Sequence, residues 1–271
     1  MPTLIANARM YAVTPTAHGA WRALFEWVSR YSDIPLRYVD HAAPAALEEL
    51  WARTDLGATF MCGFPFATAA LPPLLVAGPV PSPPRYGRRP VYCTDFVVRA
   101  DSKFTRLGDA FGARIGWTIS HSQSGFNAVR HHLLQYRHGN PERLFAASIG
   151  PLVTPRRVIE ALLDGTIDVG PLDSYLHDLL RCHEPETASQ LRTIESTPMT
   201  PIPPLVASRT TAPDIVERLR RAFVAATGDP VAADILDRLL LAGFVQVAGA
   251  DYDGFSIQAL EAVAAHYEVP E

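Results

Sequence analysis

The chain has 271 residues, of which 48% are hydrophobic and 19% are charged, and its formal net charge at pH 7 is -4. Such a length suits a large core divided into two lobes, and the lack of a basic stripe argues against nucleic acid as a partner. The three cysteines, Cys62, Cys93 and Cys182, cannot all pair within one chain, so no disulfide framework is expected.

The first third of the chain alternates between strand-like and helix-like segments. Residues 4–6, 36–39 and 58–61 are predicted strands, and apolar residues at helical spacing in 21–31 and 44–51 predict the helices between them. This alternation predicts a parallel sheet, whose ligand-binding edge is formed by the carboxyl ends of the strands. The residues expected near that edge include Tyr11, Gly63 and Phe64.

A proline-rich passage, residues 71–90, breaks this pattern and leads into a predicted strand over 91–98. The predicted elements of the α/β stretch that follows are a short helix at 107–110, a strand at 114–118, a helix that begins at Thr154 and Pro155, and a strand at 167–171. A second proline cluster precedes three helices. The chain is therefore expected to pass between lobes twice, near residues 92 and 200. The predicted lobes are 1–91 with 203–271 as lobe 1, and 92–202 with the hinge strands as lobe 2.

Residues 120–125 form a serine-rich turn directly behind the predicted strand at 114–118, and they open an amphipathic helix. Such a turn presents hydroxyl groups and unpaired backbone N–H groups at the positive end of a helix dipole, which favours an anion or a strongly polar ligand group. The simpler interpretation is that Ser122 or Ser124 only caps the helix.

Five segments of the sequence carry a family resemblance: 56–67, 95–102, 122–126, 165–174 and 195–198. With this layout the chain resembles the type-2 periplasmic binding protein fold. Within that fold it looks like the phosphate-, phosphite- and phosphonate-binding branch of ABC-transporter solute-binding proteins. The resemblance implies an α/β architecture of two lobes, each a mostly parallel sheet flanked by helices, with two hinge crossings and a ligand held between the lobes.

The resemblance also implies ligand-binding residues, position by position. The matched positions are the anion-binding turn (Ser122, Gln123, Ser124 and Gly125), an acidic cleft position (Asp173), the loop of the first lobe (Gly63 and Phe64) and, as a weaker match, Tyr11. One departure concerns the ligand. Where many relatives carry a Ser-His pair, this chain has Thr154 and Pro155, and the missing histidine removes a polar partner for a phosphonate.

Asp173 allows two interpretations, because it also stands where it can cap the helix that begins at Ser174. A carboxylate that faces a bound anion repels it, unless the ligand also carries an amine or a hydroxyl group. If Asp173 lines the cleft, the expected ligand is of mixed polarity rather than bare phosphate.

The leading hypothesis is a solute-binding protein that captures a small polar or anionic molecule, of the phosphonate or oxyanion type, by hinge closure for an ABC permease. No cofactor, catalytic residue or membrane insertion is predicted. No metal site is predicted either, because His131, His132 and His138 have no carboxylate or cysteine at metal-ligand spacing.

Two alternatives use the same bilobal fold. One is a cytoplasmic enzyme, similar in outline to enzymes of menaquinone biosynthesis, with His121 or Asp173 as the general base. The other is a cytoplasmic sensor that signals ligand binding to a partner. The sequence as given starts without an export signal, so the protein is expected in the cytoplasm, or in the periplasm if a signal peptide was removed.

Overall fold

The structure, a computed structural model, describes residues 3–137 and 143–271. The chain is divided into two units by its internal contacts. Unit 1 consists of Met1–Val91 and Pro201–Tyr252, and unit 2 consists of Tyr92–Thr200 and Asp253–Glu271.

Unit 1 is built on a six-stranded mixed sheet. In spatial order its strands are β13 (Leu241–Val245), β4 (Leu74–Pro81), β12 (Leu205–Ala207), β3 (Leu56–Phe60), β1 (Leu4–Asn7) and β2 (Leu36–Tyr38). Strand β1 runs parallel to β2 and β3, whereas β12 is antiparallel to β3 and β4, and β13 is antiparallel to β4. The sheet is therefore mixed rather than mostly parallel as predicted. Parallel neighbours need long crossover connections, whereas β12 and β13 join the sheet as antiparallel strands.

Helices pack on this sheet from both the first and the last part of the unit. They are α1 (Pro15–Ser32), α2 (Leu47–Trp51), α3 (Gly63–Thr68), α8 (Pro213–Ala225) and α9 (Pro230–Arg238). Helix α1 begins after Thr14, whose side chain accepts a hydrogen bond from the Ala17 N–H, and Pro15 occupies its first position. Its buried face has the predicted helical spacing and includes Trp21, Leu24, Phe25 and Val28.

Unit 2 contains an antiparallel three-stranded sheet and a parallel pair. The first has the order β10 (Leu191–Ser196), β6 (Thr94–Arg99) and β9 (Gly170–Asp173), and the second joins β7 (Arg114–Gly116) to β8 (Ala147–Ile149). The helices are α4 (Ala128–Arg137), α5 (Pro155–Leu163), α6 (Ser174–His183), α7 (Pro185–Ala188) and α10 (Gly254–Ala264). Here too the pairing is mixed. The buried core of this unit includes Phe96, Val98, Leu107, Ile115, Val129, Leu133, Phe145 and Val169.

The chain passes between the units at three places. The two predicted passages lie in β5 (Val91–Tyr92) and β11 (Thr200–Pro201), which pair with each other. A third passage follows Tyr252, so that α10 belongs to unit 2, whereas the prediction assigns residues 203–271 to lobe 1. None of the helices in the described part of the chain is long and apolar enough to cross a membrane.

Two hydrogen bonds explain why α10 groups with unit 2. The backbone carbonyl of Phe255 accepts from Asn127 Nδ2 at 3.0 Å, and Gln258 Oε1 accepts from Gln123 Nε2 at 2.8 Å. Both donors belong to the turn that precedes α4. The last helix of the chain therefore supports the serine-rich turn directly.

Candidate ligand-binding site

The serine-rich turn opens a helix in unit 2, as the sequence predicts. Its first turn, Gln123–Asn127, is π-helical, and α4 continues from it. Ser122 is the N-cap residue: its Oγ accepts from the Gly125 N–H at 3.0 Å, and its carbonyl accepts from the Asn127 N–H at 2.9 Å. The first backbone N–H groups of this π-helical turn precede any helical carbonyl acceptor, and Ser122 Oγ caps the Gly125 N–H among them.

Two hydroxyl groups of this turn remain able to donate. Ser122 Oγ uses its lone pair to cap the helix, which leaves its proton available. The half-buried Ser124 side chain makes no hydrogen bond to any residue that the structure describes, although its backbone carbonyl accepts from Thr94 Oγ1 at 2.9 Å. The positive end of the helix dipole adds to this donor pair, so the turn suits a negatively charged ligand group.

Gln123 is fully buried, and its side-chain amide is used within the protein. Nε2 donates to Gln258 Oε1, and Oε1 accepts from Asn127 Nδ2 at 2.9 Å. Both groups of the amide therefore hold the turn against its own helix and against α10. The side chain of this predicted ligand contact has a structural role.

Gly125 lies against Thr118. A Cβ atom at position 125 would come 2.0 Å from Thr118 Oγ1 and 2.9 Å from Thr118 Cβ. Because real Cβ contacts are never so short, only glycine fits here without displacing the preceding strand end. The same two residues are joined through the backbone, where the Thr118 N–H donates to the Gly125 carbonyl at 3.2 Å.

Asp173 is the last residue of β9 and the N-cap of α6. Its Oδ1 accepts from the N–H groups of Tyr175 and Leu176 at 2.9 and 3.0 Å, and the side chain is 6% exposed. The capping interpretation is therefore correct for one carboxylate oxygen. Burial raises the pKa of the neighbouring Tyr175 well above its usual range, so this phenol stays protonated next to the carboxylate.

The structure brings Asp173 and the serine-rich turn to the same strand of unit 2. Thr94, in β6, pairs with Asp173 in the antiparallel register of β6 and β9. The same residue donates its hydroxyl proton to the carbonyl of Ser124. Sequence reasoning missed Thr94, because nothing in a threonine at a strand start indicates which backbone group it meets.

The predicted residues of the first lobe lie in unit 1. Gly63 and Phe64 begin α3, so the predicted loop is a short helix, and Phe64 is half-buried. Tyr11 is fully buried, and its ring contacts Phe60 edge-on with 5.0 Å between centroids. Its aromatic ring thus forms part of the core of unit 1.

A buried polar cluster adjoins Thr94. Asp95 is 0% and His177 1% exposed, and Asp95 Oδ2 lies 2.9 Å from His177 Nδ1 while Oδ1 accepts from Ser196 Oγ at 2.7 Å. A carboxylate is tolerated in such a place only when its oxygens have donors. An aspartate within an apolar strand indicates such pairing, but the sequence does not show that the partner is His177, 82 residues away.

Among the described residues, no group of three or more histidine, cysteine, aspartate or glutamate side chains could hold a metal ion. His131 contacts Glu261 and His132 contacts Glu195, both through Nε2. His138 lies outside the described residues. The chemistry that the turn itself offers is hydrogen-bond donation and the positive end of a helix dipole, which suit a negatively charged group.

Comparison with known proteins adds a family match. The family described as "ABC transporter, phosphonate, periplasmic substrate-binding protein" matches residues 13–252. No curated protein sequence matches the chain.

Solved structures share the fold. A binding protein component of an ABC phosphonate transporter from Pseudomonas aeruginosa is 15% identical, with a TM-score of 0.82 over 98% of this chain and 88% of that chain. PhnD1 from Prochlorococcus marinus in complex with methylphosphonate is 16% identical, with a TM-score of 0.75 over 96% and 97%. A protein from Xanthomonas citri bound to ATP is 18% identical, with a TM-score of 0.66 over 99% and 100%. At these identities the similarity establishes the fold, that of type-2 periplasmic binding proteins.

Proposed function

Because the chain belongs to the family of periplasmic substrate-binding proteins of ABC phosphonate transporters, we propose that it captures a small anionic ligand of the phosphonate or oxyanion type for a membrane permease. The hydroxyl groups of Ser122 and Ser124 donate to the ligand oxygens, and the backbone of Gln123–Asn127 supplies the positive end of the helix dipole. The permease accepts the ligand from the protein and moves it across the membrane.

The hydroxyl group of Ser124, which bonds to none of the described residues and lies at a helix N-terminus in unit 2, carries this proposal. A hydrogen bond to a charged group contributes roughly 1.5–3 kcal/mol, and a helix N-terminus adds about 0.3–1 kcal/mol, or up to about 2 kcal/mol where it is partly buried. Two hydroxyl donors on such a turn therefore favour an anion over a neutral ligand of the same size.

Asp173 restricts the ligand further. One of its carboxylate oxygens caps α6, and its negative charge would repel a bare anion held nearby. A ligand that also carries an amine or hydroxyl group turns this repulsion into attraction. We therefore propose Asp173 as the contact for a second, hydrogen-bond-donating group of the ligand.

Three residues of unit 1 stay proposed as ligand contacts on the family resemblance alone. Gly63 and Phe64 stand at the first turn of α3, where a half-buried aromatic ring and a backbone without a side chain suit close approach of a ligand. Tyr11 is fully buried, hydroxyl group included, so no exposed group supports its place in this proposal.

Titration calorimetry with methylphosphonate, phosphite, inorganic phosphate and sulfate tests the function. We expect wild-type protein to bind at least one of them, and Ser124→Ala to weaken that binding about tenfold or more, since tenfold corresponds to about 1.4 kcal/mol. Ser189→Ala is the matched control, because this exposed hydroxyl in unit 2 donates to the Glu186 carbonyl of its own short helix. No binding of any probe by the wild type would contradict the proposal.

We also propose that the protein works in the periplasm, the compartment that the description of its family names. Fractionation of cells that express the complete gene, followed by immunodetection, tests this. Recovery in the periplasmic fraction supports transport. Recovery in the cytoplasm alone would favour the enzyme or the ligand sensor.

A further inference from the structure

Thr94 connects the β6 strand of unit 2 to the serine-rich turn. The residue is 1% exposed, and its Oγ1 donates to the carbonyl of Ser124 at 2.9 Å. This is a normal hydrogen-bond length for a hydroxyl donor. The bond joins a strand of the sheet to the backbone of the residue whose hydroxyl group is the proposed ligand donor.

Thr94 is itself held on both sides by neighbouring strands. Its N–H donates to Thr197 Oγ1 at 3.0 Å, and its carbonyl accepts from the Thr197 N–H at 2.9 Å. On the other edge it pairs with Asp173. Because a β-branched side chain also has few χ1 rotamers in a strand, the direction of the Thr94 hydroxyl group is fixed before any ligand arrives.

The bond from Thr94 fixes one peptide plane of the turn. In a trans peptide the carbonyl and the following N–H point in opposite directions. The Ser124 carbonyl points to Thr94, and the Gly125 N–H points to Ser122 Oγ. With both ends of this peptide bonded, the backbone that carries the Ser124 side chain is held in place by the protein.

We propose that Thr94 is a positioning residue of the anion site, which presets the Ser124 hydroxyl group for the ligand without contacting the ligand itself. This proposal rests on the proposed function. A donor that is ordered in advance loses less conformational entropy on binding, so the contribution of Thr94 is to affinity. The same residue sets the position of the turn relative to Asp173 through the β6 and β9 ladder.

Two substitutions separate positioning from general stability. Thr94→Val keeps the volume and the β-branched shape but removes the hydroxyl donor, whereas Thr94→Ser keeps the donor and loses a buried methyl group. We expect Thr94→Val to weaken methylphosphonate or phosphate binding about tenfold and Thr94→Ser to bind within about threefold of the wild type. Thr94→Val leaves the Ser124 carbonyl without its donor and Thr94→Ser loses a buried methyl group, so urea unfolding serves to confirm that both variants remain folded under the binding conditions.

The ranking of the two variants decides the outcome. Equal affinity in Thr94→Val and wild type, or an equal loss of affinity in Thr94→Val and Thr94→Ser, would overturn the positioning role. Thr193→Val is the matched control, because Thr193 belongs to the same sheet and, within the described part of the chain, its Oγ1 accepts from Arg181 alone. Should Thr94→Val not fold, Thr94→Ala removes the same donor without crowding the site.

Hydrogen exchange of the ligand-free protein gives a second measurement. The Gly125 N–H belongs to the peptide that Thr94 holds, so its exchange should be faster in Thr94→Val and near wild type in Thr94→Ser. Unchanged exchange in Thr94→Val would overturn the proposal even if affinity fell. Wild-type protein that binds none of the anions would overturn the proposed function, whereas normal wild-type binding with an unaffected valine variant would overturn only the role of Thr94.

Discussion

Two cap residues of the candidate site, Ser122 and Asp173, stabilise helices and also stand as proposed ligand contacts. They differ in the group that makes the cap. Ser122 caps its helix with an oxygen lone pair and keeps its proton. Asp173 caps α6 with one carboxylate oxygen, which takes both the Tyr175 and Leu176 amides. A sequence shows that a cap residue precedes a helix, but not which of its groups the cap uses. That is why both interpretations of these positions were open until the structure was known.

Gly125 gives a prediction at the residue scale. Gly125→Ala places a Cβ against Thr118 Oγ1, and such overpacking costs about 1–3 kcal/mol of unfolding free energy. We expect urea unfolding to show this loss and calorimetry to show weaker anion binding. Adding Thr118→Ala, which removes the closest atom, should recover part of the stability.

Gly108→Ala is the control for this substitution. A Cβ at position 108 meets no atom within 4 Å, and the residue lies in a short 3-10 helix of the same unit. We expect a change within about 0.5 kcal/mol. Equal stability of Gly125→Ala and Gly108→Ala would show that the turn does not pack closely on Thr118.

Elements with local signals were predictable, and elements defined by distant partners were not. Helix α5 begins at the predicted Thr154 and Pro155 pair and is followed by Gly165 at a φ of +77°. Strand β4 was missed, because its prolines, Pro79 and Pro81, indicate a strand edge or a loop, yet β4 lies between β12 and β13. Its partner β13 has a register shift at that point, and irregular pairing accommodates residues without an N–H.

The same limit holds for the candidate site. The serine-rich turn is contiguous, and its position at a helix start could be predicted from the sequence. The contacts of Gln123 with Gln258 and of Thr94 with Ser124 join residues 135 and 30 positions apart. Only the tertiary fold brings these pairs together, so their roles were beyond sequence reasoning.

The ion pair that ties β7 to the segment before β9 gives a prediction at the element scale. Arg114 binds both carboxylate oxygens of Asp168 at 2.9 Å, and this hydrogen bonding holds the pKa of Asp168 below its usual range. The charged carboxylate therefore stabilises the fold above the unfolded-state pKa, and this stabilisation is lost as the pH falls through the lower folded-state pKa. Arg114→Gln should make the acid loss of stability shallower below about pH 5, where the pH falls through the unfolded-state and then the folded-state pKa.

Both side chains of this pair are partly exposed, so the cost of Arg114→Gln at neutral pH should be below about 1 kcal/mol. Arg209→Gln changes the net charge equally and is the control, because the Arg209 guanidinium donates to the Pro72 carbonyl. Urea unfolding across the pH range measures both variants. Curves for Arg114→Gln that run parallel to the wild type would show that the pair does not lower the folded-state pKa.

At the scale of the whole molecule, the C-terminal helix joins the unit that carries the serine-rich turn. Helix α10 lies beyond the family match, which ends at residue 252. Its apolar sequence predicts a helix but not its partner: Phe255 is 2% exposed, whereas Leu260 is 67% and Val263 58% exposed. A chain that returns to its first unit and then leaves again gives no local signal of the second departure. For this reason the sequence predicts a single lobe for residues 203–271, whereas the structure groups Asp253–Glu271 with unit 2.

The contact between α10 and the turn gives the prediction at this scale. Gln258→Leu removes the acceptor for the buried Gln123 amide, and an unmet buried donor costs about 1–3 kcal/mol. We expect faster hydrogen exchange in peptides that cover 119–137 and no change in peptides of unit 1. Gln135→Leu is the control, because Gln135 is exposed and its side chain bonds to no described residue other than His132. Faster exchange in both units would contradict a contact that acts within unit 2.

The buried Asp95 and His177 pair has a consequence for strand register. Successive side chains of β6 point to opposite faces, so Thr94 meets the turn while Asp95 meets His177 and Ser196. If the register of β6 shifted by one residue, Thr94 and Asp95 would exchange positions. The Asp95 carboxylate would then lie beside Ser124 and repel anions. Such a shift would also separate Asp95 from His177 and Ser196. The contacts of Asp95 with His177 and Ser196 therefore favour the register of β6 that keeps this carboxylate away from the serine-rich turn.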